Sequence, residues 1–187
     1  MSRPGWCRVK QLPDNFRPAR AGILLFFQGA DGNTYIIAGI DANSKDITDF
    51  GGQVSPSDAN GIATALREYR EESFDLVEIN SDNLSPESIC IFDASNLLIF
   101  VRARIDDPTM IAPGFNTLMY TAVTTLGITS ELSGVTIIER EDFKTLVGVY
   151  SKVREFIEGV VRAERDRAGG GEFGGAGATG WGWMDNL

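Results

Sequence analysis

Two adjacent glycines, Gly51 and Gly52, close a strand-like run, and fifteen residues later comes Arg67-Glu68-Tyr69-Arg70-Glu71-Glu72. That order commits the chain to a strand, a tight glycine turn, a polar loop and a charged helix. Asp49-Phe50-Gly51-Gly52-Gln53-Val54 is the strand end, and Ser55-Pro56-Ser57-Asp58 supplies turn and cap chemistry. The helix is predicted from about Asn60 to Phe74. Neighbouring glycines let backbone approach a ligand where a Cβ would collide. Glu68, Glu71 and Glu72 fall at i, i+3 and i+4, so their side chains share one helix face. Like charges so placed cost a few tenths of a kcal/mol per pair unless a cation offsets them. Hard oxygen ligands on one face suit Mg²⁺ or Mn²⁺, ions that accompany phosphate substrates. A solvated charged face has the same spacing; the glycine pair and loop before it favour a metal-and-phosphate site. The apolar line Ile62, Leu66, Tyr69 and Ser73 runs beside the acidic one and is free to dock on a sheet.

Gly51 to Asp75 resembles the signature box of the Nudix hydrolases: glycine, five residues, glutamate, seven residues, then Arg-Glu-apolar-any-Glu-Glu-any-Gly-apolar. Gly52 matches the opening glycine, and Arg67 to Glu72 matches the second half without a gap. The chain departs from the pattern in three places. The segment between Gly52 and Arg67 is one residue longer, the first glutamate is absent with Asp58 the nearest acidic stand-in, and Phe74 takes the place of the closing glycine.

The resemblance implies an α/β/α sandwich around a mixed sheet and a pyrophosphohydrolase that attacks phosphorus with a metal-activated water. Its target would be a nucleoside diphosphate linked to another group. By position, Glu68 and Glu72 would be the main ligands of Mg²⁺ or Mn²⁺, Glu71 a further ligand or water-positioning group, and the Gly51 carbonyl would complete the shell. Arg67 would hold a helix glutamate in place. Many members add an acidic group from outside the box. The candidates are Glu131, Glu139 and Glu141, of which Glu131, ahead of the strand Gly134 to Ile138, is chosen; a solvated loop glutamate is its plain alternative. The runs Asp49 to Gly52 and Thr64 to Ser73 are also similar in flavour to Nudix-like proteins of large DNA viruses. The competing expectation is a Nudix-like binding or structural module that docks in a larger assembly.

Composition narrows the classes. Of 187 residues, 43% are hydrophobic and 23% charged, as in ordinary globular domains. The net charge of −9 argues against extensive nucleic-acid binding, though a capped RNA end stays open. With no histidine, Ser-His and Cys-His catalysis are excluded and carboxylates must do the acid–base work. Cys7 and Cys90 form no redox or metal motif, and Cys90 lies in an apolar run, as a reduced core residue would. No signal peptide or membrane-length apolar run is present, which points to the cytoplasm, or to host cytoplasm for a viral chain.

Residues 1–19 read as an irregular lead-in, 20–168 as the domain and 169–187 as a flexible glycine-rich tail. Strands are expected at Ala21 to Phe27, Thr34 to Ile40, Ser88 to Asp93, Leu97 to Ile105 and Gly134 to Glu139. Helices are expected at Glu141 to Leu146 and Tyr150 to Arg167; Leu118 to Leu126 suits a helix or a buried strand, the helix preferred, and Pro108 to Pro113 is a loop. Trp181 and Trp183 at the tail's end suit either a docking peptide for a protein partner or a segment folded back on its own domain.

Overall fold

The computed structural model describes residues 4–81, 84–146, 154–169 and 180–187. Its centre is strand β2 (Arg20–Gln28), whose run of Ala, Ile, Leu and Phe is buried on both faces. β2 pairs parallel with β7 (Asn96–Arg102) on one side. On the other side its far half pairs antiparallel with β3 (Thr34–Asp41) and its near half with β5 (Phe50–Gln53). β8 (Leu132–Glu139) extends the sheet beyond β3, and β1 (Gly5–Arg8) and β6 (Ile89–Phe92) extend it beyond β7. A short β4 (Ile47–Thr48) also pairs with β3. The sheet is therefore mixed.

Alternate residues along each strand enter opposite cores. Ala21, Ile23, Leu25 and Phe27 join Leu97, Ile99 and Val101 under α1 (Gly61–Ser73) and α2 (Ile111–Leu126). Leu24, Ile36, Leu98 and Phe100 face the other way, under α3 (Arg140–Leu146) and α4 (Arg154–Gly169). Helices thus cover both faces, the expected α/β/α arrangement, and each fully buried Leu, Ile or Phe contributes about 1.5–3 kcal/mol. Among the described residues no helix is long and apolar enough to cross a membrane.

α1 is set by its ends. Asn60 caps it, its Oδ1 accepting from the Ala63 N–H at 2.9 Å, and the Gly61 N–H donates to the Phe16 carbonyl at 2.8 Å. Phe74 ends it in the left-handed conformation, φ 55° and ψ 37°. That is the conformation a closing glycine takes without cost. A residue with a Cβ loses about 1–2 kcal/mol there. Phe74 offsets the loss by packing on the core, its ring 5.8 Å from that of Phe115.

Several boundaries differ from the sequence reading. The lead-in is not wholly irregular: Gly5–Arg8 pairs with β6 and places Cys7 opposite Cys90, their free thiols 3.4 Å apart. Four residues carry too little alternation to read as a strand. α2 begins at Ile111, inside the expected loop, because Pro113 lies in its first turn, where the missing N–H is no loss. β7 stops at Arg102, three residues early. The start of the last expected helix, 150–153, lies outside the described residues, as does 170–179 of the tail. The end of the tail is folded back rather than presented as an exposed docking peptide. Gly182–Asn186 forms a 3₁₀ turn, Met184 is fully buried, and Trp183 is buried with its ring 5.2 Å from Phe100. Burial of the Trp183 indole and of Met184 offsets part of the entropy of ordering the segment.

Candidate active site

β5 brings the glycine pair beneath α1, and the two halves of the sequence motif meet there. The Gly51 N–H donates to Glu72 Oε2 at 2.6 Å, a short charge-assisted bond, and Glu72 is only 7% exposed. Glu68 lies over Gly52 so closely that a Cβ on that glycine would sit 2.4 Å from Glu68 Oε2. Absence of a side chain at Gly52 is what admits the carboxylate.

Arg67 ties the loop to the helix. Its Nε and Nη2 donate to Asp58 at 3.1 and 3.0 Å, and Nη2 also donates to the Gln53 carbonyl at 2.8 Å. Its Nη1 pairs with Glu68 at 2.7 Å and Glu71 at 3.2 Å. Asp58 accepts further from the Ser55 N–H at 2.8 Å and the Thr64 hydroxyl at 3.0 Å. Asp58, the acidic residue nearest the place of the box's absent glutamate, thus ties the loop to Arg67. Hydrogen bonding from Arg67 lowers the Asp58 pKa to about 2. A folded pKa below the unfolded 3.8 means stability that is complete above 3.8 and lost as pH falls through about 2. Asp58→Asn is accordingly expected to flatten the acid limb of stability in that window. Thermal midpoints measured from neutral pH down to about 2 check this, and an unchanged acid limb would overturn it.

A second arginine, not anticipated as part of the site, stands on the opposite side of the glycine pair. Arg20, the first residue of β2, donates through Nη1 and Nη2 to Asp49 at 2.8 and 2.7 Å, and through Nη2 to the Gly51 carbonyl at 3.0 Å. The Asp49 side chain has no solvent exposure and that of Arg20 19%. Burial works against the Arg20 charge; Asp49 outweighs it, Glu72 and Glu68 add to the effect, and the pKa ends raised. The signal in the sequence was slight: Arg20 heads one apolar run, Asp49 precedes the glycine pair 29 residues later, and only the β2–β5 register joins them.

The predicted residues are thus partly assembled. Gly51, Arg67, Glu68 and Glu72 come together, with Glu71 at the rim, its side chain 60% exposed. Glu131, on the loop before β8, has its backbone carbonyl bonded to the Ala42 N–H at 2.8 Å, and its charge reaches Glu68. Burial raises the Glu68 pKa; Arg67 opposes, and the charges of Glu71 and Glu131 raise it further. Glu139 and Glu141 lie at the other end of β8 and line a separate depression with Gln28 and Leu187.

On the Glu68–Glu71 flank the donors are hard oxygens of the kind a divalent cation takes, and both carboxylates are paired with Arg67 Nη1. On the Gly51 flank the carbonyl already accepts from Arg20. Among the described residues no three acidic, Cys or His side chains are arranged to hold an ion as they stand.

No protein-family model and no curated protein matches the chain. Among solved structures it is similar to a C. elegans Ap4A hydrolase at 15% identity and a TM-score of 0.42, over 77% of this chain and 96% of that one. A binary complex of a C. elegans Ap4A hydrolase gives the same identity and score, over 75% and 92%.

Proposed function

We propose that the chain is a metal-dependent hydrolase of diphosphate bonds, of the kind its box resembles, acting on a nucleoside diphosphate linked to another group. The observation that carries this reading is the meeting of the box's two halves: Glu72 bonded to the Gly51 N–H and Glu68 seated on Gly52. A solvated acidic face would make neither contact. In this reading Glu68 and Glu71 hold Mg²⁺ or Mn²⁺, with Glu72 completing the acidic wall. Such an ion, when bound, lowers the pKa of water and neutralises charge on phosphate oxygens. Arg67 fixes the orientation of Glu68 and Glu71 through Asp58, and the missing side chain at Gly52 admits the Glu68 carboxylate. Glu131, close enough to act on Glu68, is the group outside the box proposed to accept the proton from the attacking water.

A second reading, a binding module with a weakened centre, is favoured by one specific feature: the protein itself occupies the Gly51 carbonyl. The two separate in one experiment. The chain is incubated with a panel of nucleoside diphosphate compounds, with and without Mg²⁺ or Mn²⁺, beside Glu72→Gln, whose amide oxygen still accepts from Gly51, and Glu131→Gln. The hydrolase reading expects metal-dependent release of a nucleoside monophosphate and a phosphorylated second fragment, at a rate that falls by about 10²-fold or more in Glu72→Gln. Ligand binding without release across the panel supports the module. A Glu131→Gln rate within about twofold of the parent removes Glu131 from the mechanism.

A further inference from the structure

We infer that helix α2 is an interaction surface, and that it packs against the α2 of a second copy of this chain about a two-fold axis. The inference does not depend on the hydrolase reading. In a chain that is 23% charged, no Asp, Glu, Lys or Arg occurs from Pro108 to Ser130, which is α2 with its flanks. The helix buries Ile111, Phe115 and Ala122. Met110, Leu118, Tyr120, Val123, Leu126 and Ile128 are left in water, Tyr120 at 70% and Leu126 at 69% exposure. Among the described residues, every exposed large hydrophobic side chain belongs to this one segment. Tyr120, Val123 and Leu126 come at three-residue steps, so each lies beside the next. A bond from the Ile128 N–H to the Ala122 carbonyl, 3.3 Å, keeps Ile128 against the helix end. The threonines do not make the face polar. Thr117, Thr121 and Thr124 donate to the carbonyls of Pro113, Thr117 and Tyr120 at 3.0, 2.9 and 2.7 Å, so their hydroxyl protons are used inside the helix.

Charge and area decide the occupant. With a net charge of −9 two copies repel, and the uncharged segment is where they can meet at least cost. A lipid surface is recognised through Lys and Arg on a helix's polar side, and α2 has neither. A basic protein would need carboxylates to pair with, which this segment also lacks. A two-fold contact asks for no charge, because the same apolar patch on both copies is complementary to itself. The six side chains leave on the order of 600 Å² per copy, about 1,200 Å² in a pair, which reaches the lower end of specific interfaces.

The test is sedimentation equilibrium of the full chain from about 1 to 100 μM, with Tyr120→Glu and Leu126→Glu beside the parent. Both residues are exposed in the single copy, so both variants should keep its fold, which far-UV circular dichroism checks; either decides the question should the other not fold. The parent is expected at twice its mass of 20.3 kDa in the upper part of the range. The variants are expected at the single mass, with dissociation constants raised by about 10²-fold or more. Salt gives a second readout. It screens the repulsion between the acidic bodies and spares an apolar contact, so the parent pair should tighten or hold between about 0.05 and 0.5 M NaCl. A parent that stays single overturns the inference, and one that stays single yet co-sediments with phosphatidylcholine vesicles gives the face to lipid and overturns it equally. A pair that the folded variants leave intact lies elsewhere on the molecule, and a pair that salt disperses is ionic; either result also overturns it.

Discussion

A single methyl group at Gly22 is expected to remove most of the protein's stability. Gly22 on β2 lies opposite Gly51 on β5, and the strands are closer there than any side chain permits. A Cβ on Gly22 would stand 2.0 Å from Asp49 Oδ2 and 2.9 Å from both the Gly51 Cα and the Phe50 carbonyl oxygen. Two of those three atoms are backbone within a ladder, and the third belongs to a carboxylate pinned by Arg20. Asp49 cannot retreat without abandoning the guanidinium in a buried setting, and breaking such a pair costs about 3–5 kcal/mol. Against a total of roughly 5–15 kcal/mol, that is a large fraction of the stability. Chemical denaturation of Gly22→Ala gives the loss directly. Gly114→Ala in α2 is the control: its Cβ would meet only Leu76 Cδ1, at 3.7 Å, and gain about 1 kcal/mol of helix propensity. A Gly22→Ala loss no larger than about 1 kcal/mol would mean that β2 and β5 separate easily and that the Arg20–Asp49 pair is not a fixed part of the site.

The contrast between what the sequence discloses and what it hides follows from the range of each interaction. β2 and β3 are legible because their apolar runs are continuous and a glycine-rich turn lies between them. α1 is legible because cap, apolar line and acidic line are all local. Phe74 shows the limit of motif reading: a mismatch with the box turns out to sit in the left-handed conformation that glycine favours, stabilised by a ring 5.8 Å away on α2. Asp58 was visible as an acidic stand-in, but its bond to Arg67 depends on the course of a loop. Arg20 and Asp49 are 29 residues apart and meet only through strand register, which no local pattern encodes. The same holds for Trp183, whose partner Phe100 lies on a strand far earlier in the chain. Charge and composition pointed to chemistry by carboxylates; long-range pairing decided which arginine neutralises which of them.

The second large effect is expected at the neighbouring glycine, and it should be of the opposite kind: Gly52→Ala ought to fold and yet lose its chemistry. The Cβ would fall 2.4 Å from Glu68 Oε2, 2.6 Å from Cδ and 2.8 Å from Oε1. All three atoms are the far end of a glutamate side chain that retains 13% exposure, so the carboxylate can swing outward instead of forcing strands apart. Its burial is also a net cost to Glu68, whose pKa is raised by it, and moving toward water relieves that cost. Stability should therefore change little, since a displaced exposed carboxylate is worth at most about 1 kcal/mol. Catalysis is less forgiving. A ligand moved by about 1 Å from its working position costs on the order of 10²-fold in rate. With the most readily cleaved compound of the panel as substrate, kcat/KM of Gly52→Ala is expected to fall by about that factor while the melting temperature holds. Undiminished turnover in a folded Gly52→Ala would show that Glu68 does its work away from the glycine turn, and the contact on which the hydrolase reading depends would be incidental. A collapse of both properties would instead place Gly52 with Gly22 and Gly51, as a residue the strands need rather than one the chemistry needs.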